Sequence, residues 1–348
     1  MPANILRKQK IMRRVLIALV PCMGGAVYFF GWRSLFLLLW AAIVGAVVEF
    51  VFARSRAEPV TEAVFVTTTI FALIMPPTVP LHVLTIGVVF AVMFGKELFG
   101  GYACNIFNPA MAGRCFVYIC FPIALTSTWS PPADRTWGAL DKWTTAARPQ
   151  VLTGATPMAY LKQGLLVPKS DDTDDVMTTI PFEIKQDQQL SVKKAAMLRA
   201  LFFGRISGTM GVTSALLILI GGIYLFYTKT ASRETILSVI ITYAMLNLLL
   251  TVAGVPRFYG LLTPLLGGGF LFGAFFMATD PISSPRTPQA RIIYGILIAV
   301  FVTIIRNFSI FNGGLMFSIL LGNMFAPILD HFVKTYKSKT KTPKEKPS

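Results

Sequence analysis

Charged side chains are scarce. Asp, Glu, Lys and Arg together make up 14% of the 348 residues, against about 25% in a soluble globular domain, which excludes an ordinary soluble enzyme. Histidine is nearly absent, with only His82 and His331, too few for the paired axial ligands of a two-haem cytochrome. The four cysteines, Cys22, Cys104, Cys115 and Cys120, form no CxxC pair, so an iron–sulfur or zinc framework has no ligand set, and they read as small apolar packing residues. Acids are the rarer charge, and the net charge of +16 raises nucleic acid as a partner. The placement of the bases excludes it. Arg7, Lys8, Lys10, Arg13 and Arg14 precede the first apolar run, and Lys334, Lys337, Lys339, Lys341, Lys344 and Lys346 follow the last, as anchors against anionic lipid do.

What the chain has in abundance is apolar length. Hydrophobic residues reach 54% and the mean hydropathy is +0.64. Apolar runs of about 17–22 residues recur, enough for a helix to cross roughly 30 Å of hydrocarbon. Stretches such as Ala215 to Phe226 lack the alternation of a barrel strand. The runs predict an all-α integral membrane protein with about ten transmembrane helices, near 14–31, 35–53, 60–77, 81–96, 106–125, 209–227, 234–253, 259–278, 291–308 and 312–331. The first is read as a retained span, because no small-residue cleavage site follows it. With the N-terminus in the cytoplasm, Arg54, Arg56, Lys96, Lys229, Arg233, Arg286 and Arg291 fall in inner loops, while outer short loops hold only Arg33, Arg257 and Arg306. Both termini are then cytoplasmic. Residues 126–208 lie outside and separate a first five-helix repeat (1–125) from a second (209–332), with a basic tail at 333–348. Two sets of five that start from opposite faces are the arithmetic of an inverted repeat, and each set has a span ending in proline, Pro76-Pro77 and Thr263-Pro264.

Three clusters suggest chemistry. The first runs from Gly95-Lys96-Glu97-Leu98-Phe99-Gly100-Gly101 through Asn105 and Asn108-Pro109 to Arg114. Its glycines, asparagines and proline imply irregular backbone, which survives at membrane depth only inside protein or beside a cavity. Such backbone can hold a planar ligand, with the amides at its polar edge. A tight interspan turn with Lys96 at the headgroups is the other reading. Arg114 lies within a span, where a charge costs about 2.5 kcal/mol or more and must face a partner, a cavity or an anionic ligand. In the second cluster, Gly267-Gly268-Gly269 suits close helix packing. Asp280-Pro281 stands where a span gives way to Pro- and Ser-rich chain; its carboxylate can meet a cation, accept from a ring, or cap a helix. The third, Thr153-Gly154-Ala155-Thr156-Pro157, is physically only a small-residue turn.

Taken in order, GKELFGG, NIFNPAMAGR, TGATP and FFMATDPISSP resemble the B subunit of the sodium-pumping NADH:quinone reductase and its homologue, the D subunit of the Rnf complex, over roughly residues 10–335. Met75-Pro76-Pro77-Thr78 and the segment from Gly322 to Pro327 are also similar to family segments, and GKELFGG leans toward the reductase. The resemblance implies FMN joined as a phosphoester to Thr156 by a flavin transferase, with Thr153, Gly154, Ala155 and Pro157 as its recognition sequence. It also implies a quinone or riboflavin pocket at Gly100, Gly101, Asn105, Asn108 and Arg114, with Asp280 the polar residue of the matching break. Two positions depart from the family pattern, which often has acidic residues where Gln150 and Val212 stand.

The implied function is that of a membrane subunit of an ion-translocating flavin-dependent redox complex in the bacterial cytoplasmic membrane. It passes electrons through covalent FMN toward quinone or a neighbouring redox subunit, with coupled movement of Na+ or H+. No residue acts as a catalytic acid, base or metal ligand. No GxGxxG joins a strand to a helix, so NADH is expected to meet another subunit. A channel or secondary transporter would suit the same broken-helix repeat but has no use for TGATP. A flavinylated electron conduit without pumping shares every motif.

Overall fold

The computed structural model describes residues 6–126, 129–133, 137–145, 157–169, 177, 180, 190–255, 260–309 and 314–340. Strand β1 (Leu6–Arg7) leads into α1 (Lys10–Phe30) and α2 (Trp32–Ser55), followed by β2 (Val60–Thr61), α3 (Ala63–Leu73), α4 (Leu81–Gly95), a 3-10 turn at Glu97–Phe99, α5 (Pro109–Cys120) and α6 (Pro122–Thr126). After them come α7 (Pro157–Gln163), β3 (Leu166–Lys169), β4 (Leu190–Lys193) and α8 (Lys194–Phe203). The last group is α9 (Ala215–Tyr227), α10 (Arg233–Val252), α11 (Leu262–Leu266), α12 (Phe270–Phe272) with a π-helical turn at Gly273–Met277, α13 (Pro288–Phe308) and α14 (Gly314–Thr340). The strands pair in parallel, β1 with β2 and β3 with β4.

Six of these helical stretches, of 19 to 26 residues, are long and apolar enough to cross a membrane; at 1.5 Å per residue they measure about 29–39 Å. The chain is a multi-pass membrane protein. The segments expected as spans at 60–77, 106–125, 209–227 and 259–278 differ from expectation. Their main helices have 11, 12 and 13 residues in α3, α5 and α9, and the fourth is broken into α11, α12 and the π turn. The causes are local. Pro76-Pro77 removes two backbone donors just beyond α3, Asn108 caps α5 from its start, and glycines separate α11 from α12.

Opened helix ends inside apolar surroundings need partners for their carbonyls. At the end of α3, Gly211 N donates to Leu73 O (2.8 Å) and Met210 N to Met75 O (3.0 Å), while Arg33 donates to Pro77 O and, at 2.7 Å, to Val79 O. Small residues bring helices together: Gly113 of α5 lies against Gly87 and Ala91 of α4, and Gly221 of α9 against the backbone of Ala18 in α1. The shared core between the helices includes Phe71, Tyr243, Phe270, Phe272 and Tyr294, all fully buried. A second small core, built on Tyr160, Leu166, Val192, Met197 and Leu201, holds α7, β3, β4 and α8 together.

Candidate ligand cleft at the helix breaks

Asn108 starts α5. Its Oδ1 accepts from Ala110 N (3.1 Å) and Met111 N (3.3 Å), and Pro109 takes the first helical position, where no donor is needed. The same side chain reaches the other half of the chain, Nδ2 donating to Met277 O (3.3 Å) in the π turn. One residue thus ties the two interrupted segments together. Three residues on, Asp280 Oδ2 accepts from Ser283 Oγ (2.6 Å) and Ser283 N (3.2 Å), and the Asn105 side chain, whose Nδ2 donates to Phe107 O (3.0 Å), lies beside the same carboxylate. Nearby, the fully buried Asn323 donates its amide nitrogen to the Tyr294 hydroxyl (2.7 Å) and accepts from Asn108 N (2.9 Å) on its amide oxygen.

Beside this junction lies a cleft. Its apolar walls come from Ile11, Met12 and Val15 of α1, Val66 and Ile70 of α3, Leu225 of α9, and Phe275 and Phe276. Its polar groups are Thr67, Asn108, Thr230, Thr279 and Asp280. Apolar walls with a few convergent polar groups are what a flat organic ligand requires. The carboxylate suits the ring N–H of a flavin, and the amide N–H suits a carbonyl of either a flavin or a quinone.

The six residues singled out from sequence do not share one place. Asn105, Asn108 and Asp280 meet at the junction. Gly100 and Gly101 do not line the cleft; at φ 109° and 90° they close the turn after α4, and a Cβ on Gly101 would sit 2.7 Å from the Arg56 guanidinium. Arg114 is half-buried on α5, has no carboxylate partner among the described residues, and does not line the cleft. Thr153, Gly154, Ala155 and Thr156 lie outside the described residues. Pro157 opens α7, whose Lys162 donates to Ser309 O just past α13.

Lys96 overturns the reading that placed it at the headgroups. It is buried, donating to Glu49 Oε2 (2.6 Å) and Thr61 Oγ1 (2.7 Å), while Glu49 Oε1 accepts from Thr61 N and Oγ1. Glu97 beside it is also buried and pairs with Arg56. Sequence reasoning missed Glu49, although it is the only charge in the apolar run 35–53, and a lone acid in a span is a signal for a buried partner.

A model of the NQR2, RnfD, RnfE family matches residues 4–339. Among curated proteins, the Na(+)-translocating NADH-quinone reductase B subunit of Ectopseudomonas mendocina is 35% identical over 300 residues, covering 84% of this chain and 64% of its own length. The B subunit of Pseudoalteromonas atlantica is 34% identical over 321 residues, 89% of this chain and 69% of its own. That of Pseudomonas aeruginosa is 34% identical over 318 residues, 89% and 68%. The chain spans about two thirds of the length of these relatives.

Proposed function

Because the chain belongs to the NQR2, RnfD, RnfE family, we propose that it is the membrane subunit of a sodium-translocating NADH:quinone reductase, passing electrons through flavin toward quinone in a complex that moves Na+. The observation that carries this reading is the similarity to three reductase B subunits across 84–89% of the chain. The other subunits supply the NADH site.

The helix packing supports an inverted pair of five-element repeats. The contacts α2–α4, α4–α5 and α3–α5 in the first half are repeated as α10–α13, α13–α14 and π turn–α14 in the second, and equivalent elements meet across the middle as α1–α9 and α5–α14. A pseudo-two-fold axis through those two contacts relates the halves, and the broken segments lie where ligand sites of such folds are built.

Thr156 holds FMN through its hydroxyl, and a non-covalent riboflavin or the quinone ring takes the cleft at Asn108. Bound there, flavin supplies one- and two-electron transfer. The chain's own residues position it: Asn108 presents an amide fixed by two backbone donors, Asp280 a carboxylate fixed by Ser283, and the aliphatic walls exclude water. The helix α7 that follows the motif in sequence is anchored by Lys162 to Ser309, where α13 stops.

The test is flavin on the denatured chain. Co-expressed with a flavin transferase, the chain fluoresces in the gel and exceeds its sequence mass by one FMN less water, whereas Thr156→Ala does neither and still inserts. Thr153→Ala retains the acceptor oxygen and loses less. Flavin absent from Thr156, in cells whose transferase modifies another protein, overturns the assignment.

A further inference from the structure

Arg306 sits in the last turn of α13, an apolar helix, with 8% of its surface exposed. No carboxylate pairs with it among the described residues. Its partners are neutral oxygens at the broken segment: Nη1 donates to Tyr243 Oη (2.8 Å) and Pro264 O (3.1 Å), and Nη2 to Gly267 O (3.0 Å). The two carbonyls end α11, where orphan acceptors form the negative pole of a helix. At φ +59°, Gly268 turns the chain away, and a Cβ there would collide with the guanidinium. The glycine is what lets the charge come this close.

Carbonyls at the end of an interrupted helix, joined by a hydroxyl, are the oxygen set that holds an alkali cation in broken-helix membrane proteins. Here a cation of the chain's own already occupies it. We propose that the oxygens of Tyr243, Pro264 and Gly267 form a monovalent-cation site that Arg306 keeps permanently filled. The tethered guanidinium stabilises the break and closes it to sodium. Arg33 plays the corresponding part at the other interrupted segment, on Pro77 O and Val79 O. The oxygens hold the guanidinium in the same way whether or not the complex pumps sodium.

Removing the tethered cation exposes the site to free ones. The full chain, purified in detergent without its partners and again in the assembled complex, is heated in choline chloride and then with choline replaced by up to about 50 mM guanidinium or sodium at constant ionic strength. Wild type gives the same midpoint in all three salts. Arg306→Ala melts lower by roughly 5–10 °C in choline, and guanidinium, which fits the cage, recovers most of the loss along a saturating curve; sodium recovers part of it. Should Arg306→Ala not accumulate, Arg306→Ser, which likewise empties the cage, carries the same expectation. A variant that responds to guanidinium and sodium no more than wild type does would reduce Arg306 to a packing residue and overturn the proposal. Because flavin attachment and quinone reduction are not read, a wrong assignment of the redox function leaves this result intact.

Discussion

Two carboxylates, two cations and a threonine share the space between α2, β2 and the turn after α4. Lys96 and Glu49 are almost wholly buried, 4% and 2% of their side chains exposed, and stand 2.6 Å apart. Charges so far from water persist only when every lone pair and proton has a partner, and Thr61 supplies the missing ones from its N–H and hydroxyl. Replacing Lys96 with Met leaves Glu49 uncompensated and destabilises the chain by about 3–5 kcal/mol. Replacing both, as Lys96→Met with Glu49→Gln, costs clearly less than Lys96→Met alone. Thermal midpoints of the four chains measure the coupling; additive effects of the two changes would mean that the pair contributes nothing as a pair. The partnership was not legible in GKELFGG, because Glu49 lies 47 residues upstream and sequence spacing carries no distance information across a helix hairpin. Arg33 and Arg306 were misleading for a related reason. Counted as loop charges, they looked like exceptions to the concentration of bases on one face, whereas each is bound to backbone carbonyls at a broken helix.

At the scale of elements, β1 and β2 are two residues each, too short to hold the N-terminal arm by pairing alone. Glu62, at the head of α3, does most of the fastening. It accepts from Gln9 N (2.5 Å) and from Arg13 Nε and Nη2 (2.7 and 2.6 Å). The Arg13 hydrogen bonds hold its carboxyl below the usual carboxylate range, against the opposing effect of burial. A carboxyl depressed in the folded state stabilises that state above its unfolded pKa, and the contribution disappears as the pH falls through the lower, folded value. The arm therefore stays docked from neutral pH down to the ordinary carboxylate range and loosens below it. Glu62→Gln loosens it at all pH values. Hydrogen exchange of residues 6–13 as a function of pH reads this directly, and protection that is flat down to strongly acid pH in the wild type would remove Glu62 as the fastener. Helix identity was legible here from apolar runs, and Pro76-Pro77 marked where the third run breaks, whereas α3 stops at Leu73 and α5 begins only at Pro109. Their shortness was not, since the apolar run continues past the residue where the hydrogen-bonded ladder stops. The three glycines of 267–269 read as packing residues, although Gly268 and Gly269 take positive φ, at 59° and 71°, to open the helix.

For the whole molecule, the contacts sort the basic residues by end. Arg13 with Glu62 and Arg7 over the Tyr102 ring join the N-terminal arm to the head of α3 and the turn after α4, Arg291 with Glu234 joins the starts of α13 and α10, and Asp330 accepting from Arg286 N and Thr287 N joins the loop before α13 to the far part of α14. The opposite end carries the turn between α1 and α2, where Trp32 and Arg33 bind the backbone of 140–143, and the docking of α7 on Ser309. A face with the basic loops is cytoplasmic when a chain is inserted by the usual charge bias. On the proposed topology the basic face is cytoplasmic, and the module of α7, β3, β4 and α8 faces outward. A reporter active only outside the cytoplasm, fused near Ser170, gives signal in this orientation, while the same reporter after Lys337 is silent, and a cytoplasmic reporter gives the reverse. Converting Arg54 to Gln weakens the bias without removing the Arg56–Glu97 pair, so the two fusions should still differ, with a smaller contrast. Five crossings separate the two positions when each half crosses five times, and an odd number puts them on opposite faces. Equal signals from both positions in the unaltered chain would require an even number and would break the two-fold relation of the halves.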